Sequence, residues 1–269
     1  MVKLLNGLEL AGFIKSRQAR EARSIRQSLN IEPKLAIVQT KDDPVINTYV
    51  RLKKQYGKDI GVEVEPFFCK QNEVKDVLTK LNSDDSVHGI IVQLPLDDIT
   101  QTDEIVDVVK PTKDVDALGS NPSFEPATPM AILWLLAGYN VDLKNKKIVL
   151  IGRGKLVGAP LEKILKAGGH DVEVIHRGVT DIAKHTKNAD VIITATGSPA
   201  ILYANMLKAG AVVVDAGVAS EQGKTVGDLA ADVYDRDDIA VTPVKGGVGP
   251  LTVCALFENV LRAARAAKK

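Results

Sequence analysis

Two spacings of apolar residues alternate along the chain. Recurrence every three or four positions predicts helices over about 9–29, 47–57, 73–81, 104–109, 130–137 and 251–267, because one stripe of a helix must be apolar to pack. Between them run short, nearly continuous apolar stretches: LAIVQ (35–39), VEVEPFF (62–68), GIIVQLPL (89–96), KIVLI (147–151), VEVI (172–175), VIITATG (191–197), AVVVDAG (211–217) and IAVTPVKGG (239–247). Runs of this kind predict strands covered on both faces, hence parallel sheets with helical crossovers, and the fold class is α/β. The rhythm breaks at PTKDVDALGSNPSFEPATP (111–129), whose Pro, Asp, Ser and Gly mark a connection between two domains.

Composition removes several classes of function. With 269 residues and 45% hydrophobic side chains, the chain can fill two ordinary cores. It carries 35 basic against 34 acidic residues and only 4% aromatics, which excludes a charge-driven or stacking-driven nucleic-acid partner. Cys69 and Cys254 lie far apart without C-x-x-C spacing, so both are expected reduced and buried. His88, His170, His176 and His185 have no ligand spacing, and no metal is expected. There is no signal-peptide pattern and no apolar run near the roughly 18 residues of a membrane span, so no membrane contact and a cytoplasmic location are expected. The basic end, 262–269, reads as a solvated helix terminus.

In the 47–57 helix, Asp42 or Asp43 can cap, Pro44 suits the first turn, and Val45, Tyr49, Leu52 and Tyr56 recur at helical spacing. Lys53 follows Tyr49 by four residues, placing amine and phenol on one face near the apolar stripe. Taken alone, such a lysine is explained by snorkelling. Gln93, however, ends the apolar run GIIV and its amide needs a partner. Asp116 in KDVDALG is by itself a turn former. A lysine, a glutamine and an aspartate directed to one crevice make a candidate catalytic site.

The strand KIVLI runs into Gly152-Arg153-Gly154-Lys155-Leu156-Val157-Gly158, and a helical pattern follows. Glycines at a strand-to-helix turn let backbone N–H groups approach a pyrophosphate at the helix N-terminus, so Gly152, Arg153, Gly154, Lys155, Val157 and Gly158 are candidate dinucleotide contacts. The G-x-G-x-x-x-G spacing departs from the commonest fingerprint, leaving the packing role of the third glycine open. The next strand ends at His176 and Arg177, where an NAD enzyme would place an acid against the ribose. Two guanidiniums, Arg153 and Arg177, suit a 2′-phosphate and favour NADP. Thr196 and Gly197 in TATGSP, and Gly217 and Val218 in DAGV, close later strands where the nicotinamide end would lie.

These stretches resemble one family, the bifunctional methylenetetrahydrofolate dehydrogenase/cyclohydrolases, over nearly the whole chain. The resemblance is carried by TYVRLKK, matching the family's Tyr-x-x-x-Lys, and by GIIVQLPL, KDVDALG, IGRGKLVGAP, TATGSP and TPVKGGVGPLT. It implies NADP-dependent oxidation of 5,10-methylenetetrahydrofolate to the methenyl compound, hydrolysis of that to 10-formyltetrahydrofolate, and a homodimer. It further implies that Lys53 is the catalytic lysine, that Gln93 positions it, that Tyr49 stacks on folate, and that Asp116 recognises the amino-pyrimidine edge. Val92, Leu94, Pro95, Gly247, Gly249, Pro250 and Thr252 would complete the folate contacts. The expected domains are an N-terminal α/β folate-site domain, 1–119, rejoined by a C-terminal helix at 250–269, and a Rossmann-like NADP-binding domain, 120–249.

The chain departs from the family at several points. Ile46 stands where a serine is usual, Ala117 replaces the glycine of D-V-D-G, Ala127 replaces the cysteine of C-T-P, Lys245 replaces a proline, and the linker is shorter. Hydride transfer depends chiefly on alignment and is expected to survive, whereas the cyclohydrolase step depends on the lysine's surroundings. Three other readings stand beside this one: a dehydrogenase-only member, a shikimate-dehydrogenase-like NADP oxidoreductase, and a catalytically silent NADP- or folate-binding protein.

Overall fold

The structure, a computed structural model, describes residues 3–176, 178–221 and 224–267. In chain order they form β1 (Lys3–Leu4), α1 (Gly7–Leu29), β2 (Lys34–Gln39), α2 (Pro44–Ile60), β3 (Glu63–Phe68), α3 (Val74–Ser83), β4 (Gly89–Val92) and α4 (Thr102–Val106). There follow α5 (Ala127–Gly138), β5 (Ile148–Ile151), α6 (Gly158–Ala167), β6 (Val172–Ile175), α7 (Ile182–Thr186), β7 (Val191–Thr194) and β8 (Val212–Asp215). A hairpin of β9 (Ala219–Glu221) and β10 (Lys224–Val226), then β11 (Ala240–Val241) and α8 (Val248–Ala266), complete the chain. Two compact units emerge: Gly12–Ala127 with Val253–Lys269, and Met1–Ala11 with Thr128–Thr252.

The first unit is built on a parallel sheet in the order β3-β2-β4. Central β2 is apolar because both its faces are covered: Leu35, Ala36, Ile37 and Val38 are all fully buried. On one face α3 contributes Val74 and Leu78 to a core with Val38, Ile90 and Leu96. Helix α2 starts at Asp43, whose carboxylate accepts from the N–H groups of Val45 (2.8 Å) and Ile46 (3.1 Å), with Pro44 in its first turn. It ends at Gly61 in the left-handed conformation, φ 78°.

The buried face of α2 differs from the predicted one. Val45, Tyr49 and Leu52 are 56%, 41% and 52% exposed, while Ile46, Val50, Gly57 and Ile60 are buried; of the predicted stripe only Tyr56 is partly buried, its ring 4.9 Å from that of Phe257. The two stripes lie one residue apart, about 100° around the helix, and apolar spacing alone does not choose between them. Gly57 decides it: a Cβ there would stand 2.4 Å from Val64 on β3, so the helix comes close to the sheet on that side. Lys53 falls in line with this buried stripe.

The second unit is a six-stranded parallel sheet, β1-β11-β8-β7-β5-β6, around a core that includes Val149, Ile192, Val213 and Val241. β1 belongs to it, with Lys3 opposite Ala240 and Leu4 opposite Val241. Residues up to Ala11 therefore group with this unit, although the sequence places them in the 1–119 domain, and residues 120–127 group with the first unit. Several strands stop earlier than their apolar runs. β4 ends at Val92, two residues before Leu94-Pro95, and β11 ends before Pro243; a proline has no N–H for the ladder. Cys254 is buried, whereas Cys69, one residue past β3, is only partly so, and neither is in a disulfide.

Candidate active site

In the first unit three polar side chains converge. Lys53 Nζ donates to Gln93 Oε1 at 2.7 Å. Gln93 is itself fixed twice, its backbone N–H on Val38 O at 2.8 Å and its side-chain amide on Leu94 O at 3.1 Å. Burial lowers the pKa of Lys53, opposed by the charge of Asp116; burial raises that of Asp116, opposed by the charge of Lys53. The pair is thus pushed towards its neutral forms by desolvation and towards its ionised forms by mutual attraction. Tyr49 lies one turn earlier on α2 and is half-exposed. Val92 is buried, Leu94 partly buried and Pro95 exposed. Ile46, at the serine position of the family, is 4% exposed and packs as core.

The turn carrying Asp116 is held by a residue the sequence did not single out. Asp114, 5% exposed, accepts from the N–H groups of Leu118 (3.3 Å) and Gly119 (2.9 Å). Asp107 accepts from Ser120 N–H at 2.6 Å, and Asn259 on α8 donates to Val115 O and Glu125 O, both at 2.9 Å. Ala117 sits at φ 56°, the left-handed region that explains the family's usual glycine there. A second carboxylate two residues before Asp116 was the available signal for this turn; Asn259, more than a hundred residues away, left none.

In the second unit the glycine loop joins β5 to α6. Gly152 has φ 106°, and a Cβ on it would lie 2.5 Å from Ala195 O. A Cβ on Gly158 would lie 2.1 Å from Gly152 O, so the third glycine is a backbone-to-backbone contact. Gly154 has nothing within 4 Å of its Cβ position, which leaves room for a ligand beside the first turn of α6. Arg153 is exposed and its Nε donates to Glu162 Oε2 at 2.7 Å. Lys155 and His176 are exposed and Val157 half-buried, while Arg177 lies outside the described residues.

Thr196 and Gly197 follow β7, with Gly197 at φ 65°, and Gly217 and exposed Val218 follow β8. Gly247, Gly249, Pro250 and Thr252 group with this unit at the start of α8, where Thr252 Oγ1 donates to Val248 O at 3.4 Å. Lys245 is exposed beside Gly246 at φ 84°. Among the described residues no group of three or more His, Cys, Asp or Glu side chains gathers as metal ligands, and no helix is long and apolar enough to cross a membrane.

Comparison with known proteins bears directly on this arrangement. Residues 5–116 match the tetrahydrofolate dehydrogenase/cyclohydrolase catalytic domain, and residues 126–268 the NAD(P)-binding domain of the same enzymes. The bifunctional protein FolD of Acetivibrio thermocellus is 35% identical over 98% of this chain and 97% of its own length. The crystal structure of the bifunctional enzyme FolD from Campylobacter jejuni is 35% identical, with a TM-score of 0.92 over 99% of both chains. The Trypanosoma brucei methylenetetrahydrofolate dehydrogenase-cyclohydrolase, solved with NADP cofactor and inhibitor, is 28% identical with a TM-score of 0.92 over 100% of this chain and 99% of that one. With both domain models matched in order and likeness running the full length of its relatives, the chain belongs to the tetrahydrofolate dehydrogenase/cyclohydrolase family.

Proposed function

We infer that this chain oxidises 5,10-methylenetetrahydrofolate to 5,10-methenyltetrahydrofolate with NADP+ and hydrolyses the product to 10-formyltetrahydrofolate, two steps of one-carbon metabolism. The observation that carries the reading is the 2.7 Å hydrogen bond from Lys53 to Gln93 beside the desolvated carboxyl of Asp116. When bound, NADP+ supplies the acceptor for the hydride leaving the one-carbon bridge. The residues present fit it: the open space at Gly154 beside the α6 N-terminus suits a pyrophosphate, and Arg153 offers a guanidinium to a 2′-phosphate. The NADP complex of the Trypanosoma relative supports the same cofactor.

The chain's own residues account for the hydrolysis. A neutral Lys53 still donates one N–H to Gln93 and keeps its lone pair, so it can take a proton from the water that attacks the methenyl carbon. Desolvation favours that neutral form. Asp116 can accept paired hydrogen bonds from an amino-pyrimidine edge, and Tyr49 offers an exposed ring for stacking. A spectrophotometric assay with methylenetetrahydrofolate and NADP+ tests this. NADPH formation followed by loss of methenyl absorbance is expected; NADPH without hydrolysis would mark a dehydrogenase-only enzyme, and binding without turnover a silent protein.

The reading includes a homodimer. β3 is an edge strand whose last residue, Phe68, is 62% exposed, and an open cavity of about 760 Å³ beside it is lined by Val64, Pro66 and Phe68 together with the charged side chains of Arg51, Lys54 and Lys58. An unpaired sheet edge that ends in an exposed phenylalanine is suited to a second copy. Light scattering should report a dimer, and Phe68→Glu should shift it towards monomer.

A further inference from the structure

Two carboxylates in the second unit take no part in the chemistry above. Asp228 is fully buried, and Asp215, at the end of β8, is partly buried. Asp228 accepts from the N–H of Thr196 at 2.8 Å with one oxygen and from the N–H of Ser198 at 3.0 Å with the other. Asp215 in turn holds the backbone of Asp228: one oxygen accepts from the N–H groups of Asp228 (2.9 Å) and Leu229 (3.3 Å). Its other oxygen accepts from Gly217 N–H (2.9 Å) and the hydroxyl of Thr194 (3.2 Å). The backbone on either side of the β9–β10 hairpin is cut away to admit both. A Cβ on Gly217 would lie 2.0 Å from Asp228 Oδ1, and one on Gly227 would lie 2.0 Å from Asp215 Oδ2.

Desolvating a carboxylate is costly, and here the compensation goes to the backbone of two loops. Those loops, 195–198 and 216–218, follow the C-terminal ends of neighbouring parallel strands β7 and β8, the edge at which open α/β sheets take their ligands. We propose that Asp228 is a positioning residue for the nicotinamide half of the dinucleotide, fixing the N–H groups of Thr196 and Ser198 while Asp215 seats Asp228. This rests on the NADP reading given above. Gly217 and Gly227 are then glycines because the carboxylates occupy the space of their side chains.

Asp228→Asn keeps the size but leaves one acceptor oxygen for two N–H donors. It should raise the KM for NADP+ roughly tenfold, and Asp228→Ala should raise it further, so that Asn partly rescues. Hydrolysis of methenyltetrahydrofolate, which consumes no dinucleotide, and the KM for methylenetetrahydrofolate should stay within about twofold of wild type. Thr194→Val removes a single hydroxyl from Asp215 and is the milder variant should both Asp228 variants fail to fold, with a rise of about threefold expected in the NADP+ KM. The proposal is overturned if folded Asp228→Asn, or Thr194→Val where only that folds, binds NADP+ like wild type. It is equally overturned if dehydrogenase and cyclohydrolase activities fall in parallel, as a merely structural role predicts. No NADPH from the wild type would remove the NADP reading and this inference together, whereas normal wild-type turnover with an unaffected variant removes only the inference.

Discussion

The turn that presents Asp116 and the loop that follows β7 are held by the same device with different residues. Each hangs its backbone N–H groups on a buried carboxylate: Leu118 and Gly119 on Asp114, Thr196 and Ser198 on Asp228. Each also contains one residue in the left-handed region, Ala117 at φ 56° and Gly197 at φ 65°. The first turn accepts a methyl group there. At the second, a Cβ on Gly197 would stand 3.1 Å from Val218 O, and at nearby Gly217 it would meet Asp228 head on. The contrast teaches that a left-handed φ alone costs about 1 kcal/mol and can be tolerated, whereas a carboxylate as close as the one 2.0 Å from the Cβ position of Gly217 leaves no room for any side chain.

The largest expected effect separates the two regions by their chemistry. Lys53→Met should lower methenyl hydrolysis by at least about a hundredfold while the Kd for NADP+, measured by fluorescence titration, does not change. Because burial lowers the pKa of Lys53, its neutral form is reached at a lower pH than for an ordinary lysine. Wild-type hydrolysis should therefore rise with pH through that depressed value, and Lys53→Met should show no such limb. Unchanged hydrolysis in this variant would falsify the assignment of the lysine.

Gly217→Ala probes the crowded region next, and should cost about 1–3 kcal/mol in urea unfolding through its collision with Asp228. Arg153→Ala should weaken NADP+ more than NAD+ by roughly tenfold, and Arg177→Ala in the same sense; equal losses for both dinucleotides would remove the 2′-phosphate assignment. The smallest effect sharpens the comparison itself. Ala117→Gly should stabilise by up to about 1 kcal/mol, while Gly197→Ala destabilises, and paired thermal melts would show whether the two signs differ.

The residues legible in the sequence were those whose own side chain or own missing side chain does the work. Lys53 stood out against an apolar helix, Gln93 against an apolar strand end, and the glycines of the 152–158 loop against the strand and helix around them. The buried stripe lies one position from the predicted one at Val45, Tyr49 and Leu52, though not at partly buried Tyr56, since these positions recur as regularly as Ile46, Val50 and Gly57. Only the approach of Gly57 to β3 distinguishes them. Asp114 left only its spacing from Asp116 as a signal, and Asp215, Asp228 and Asn259 left none, because they act chiefly on main-chain groups that any residue would supply.

The order of apolar runs and turn residues by itself determined an α/β chain in two parts, a glycine turn between strand and helix, and a lysine where none was needed for packing. Those features follow from local periodicity and side-chain chemistry, which are written residue by residue. The tertiary structure alone decided which stripe of α2 is buried, that β1 joins the sheet ending in β11, and that buried carboxylates hold the turn after α4 and the loop after β7. These depend on which segments distant in sequence meet, and on desolvation, which exists only once the surrounding chain has excluded water.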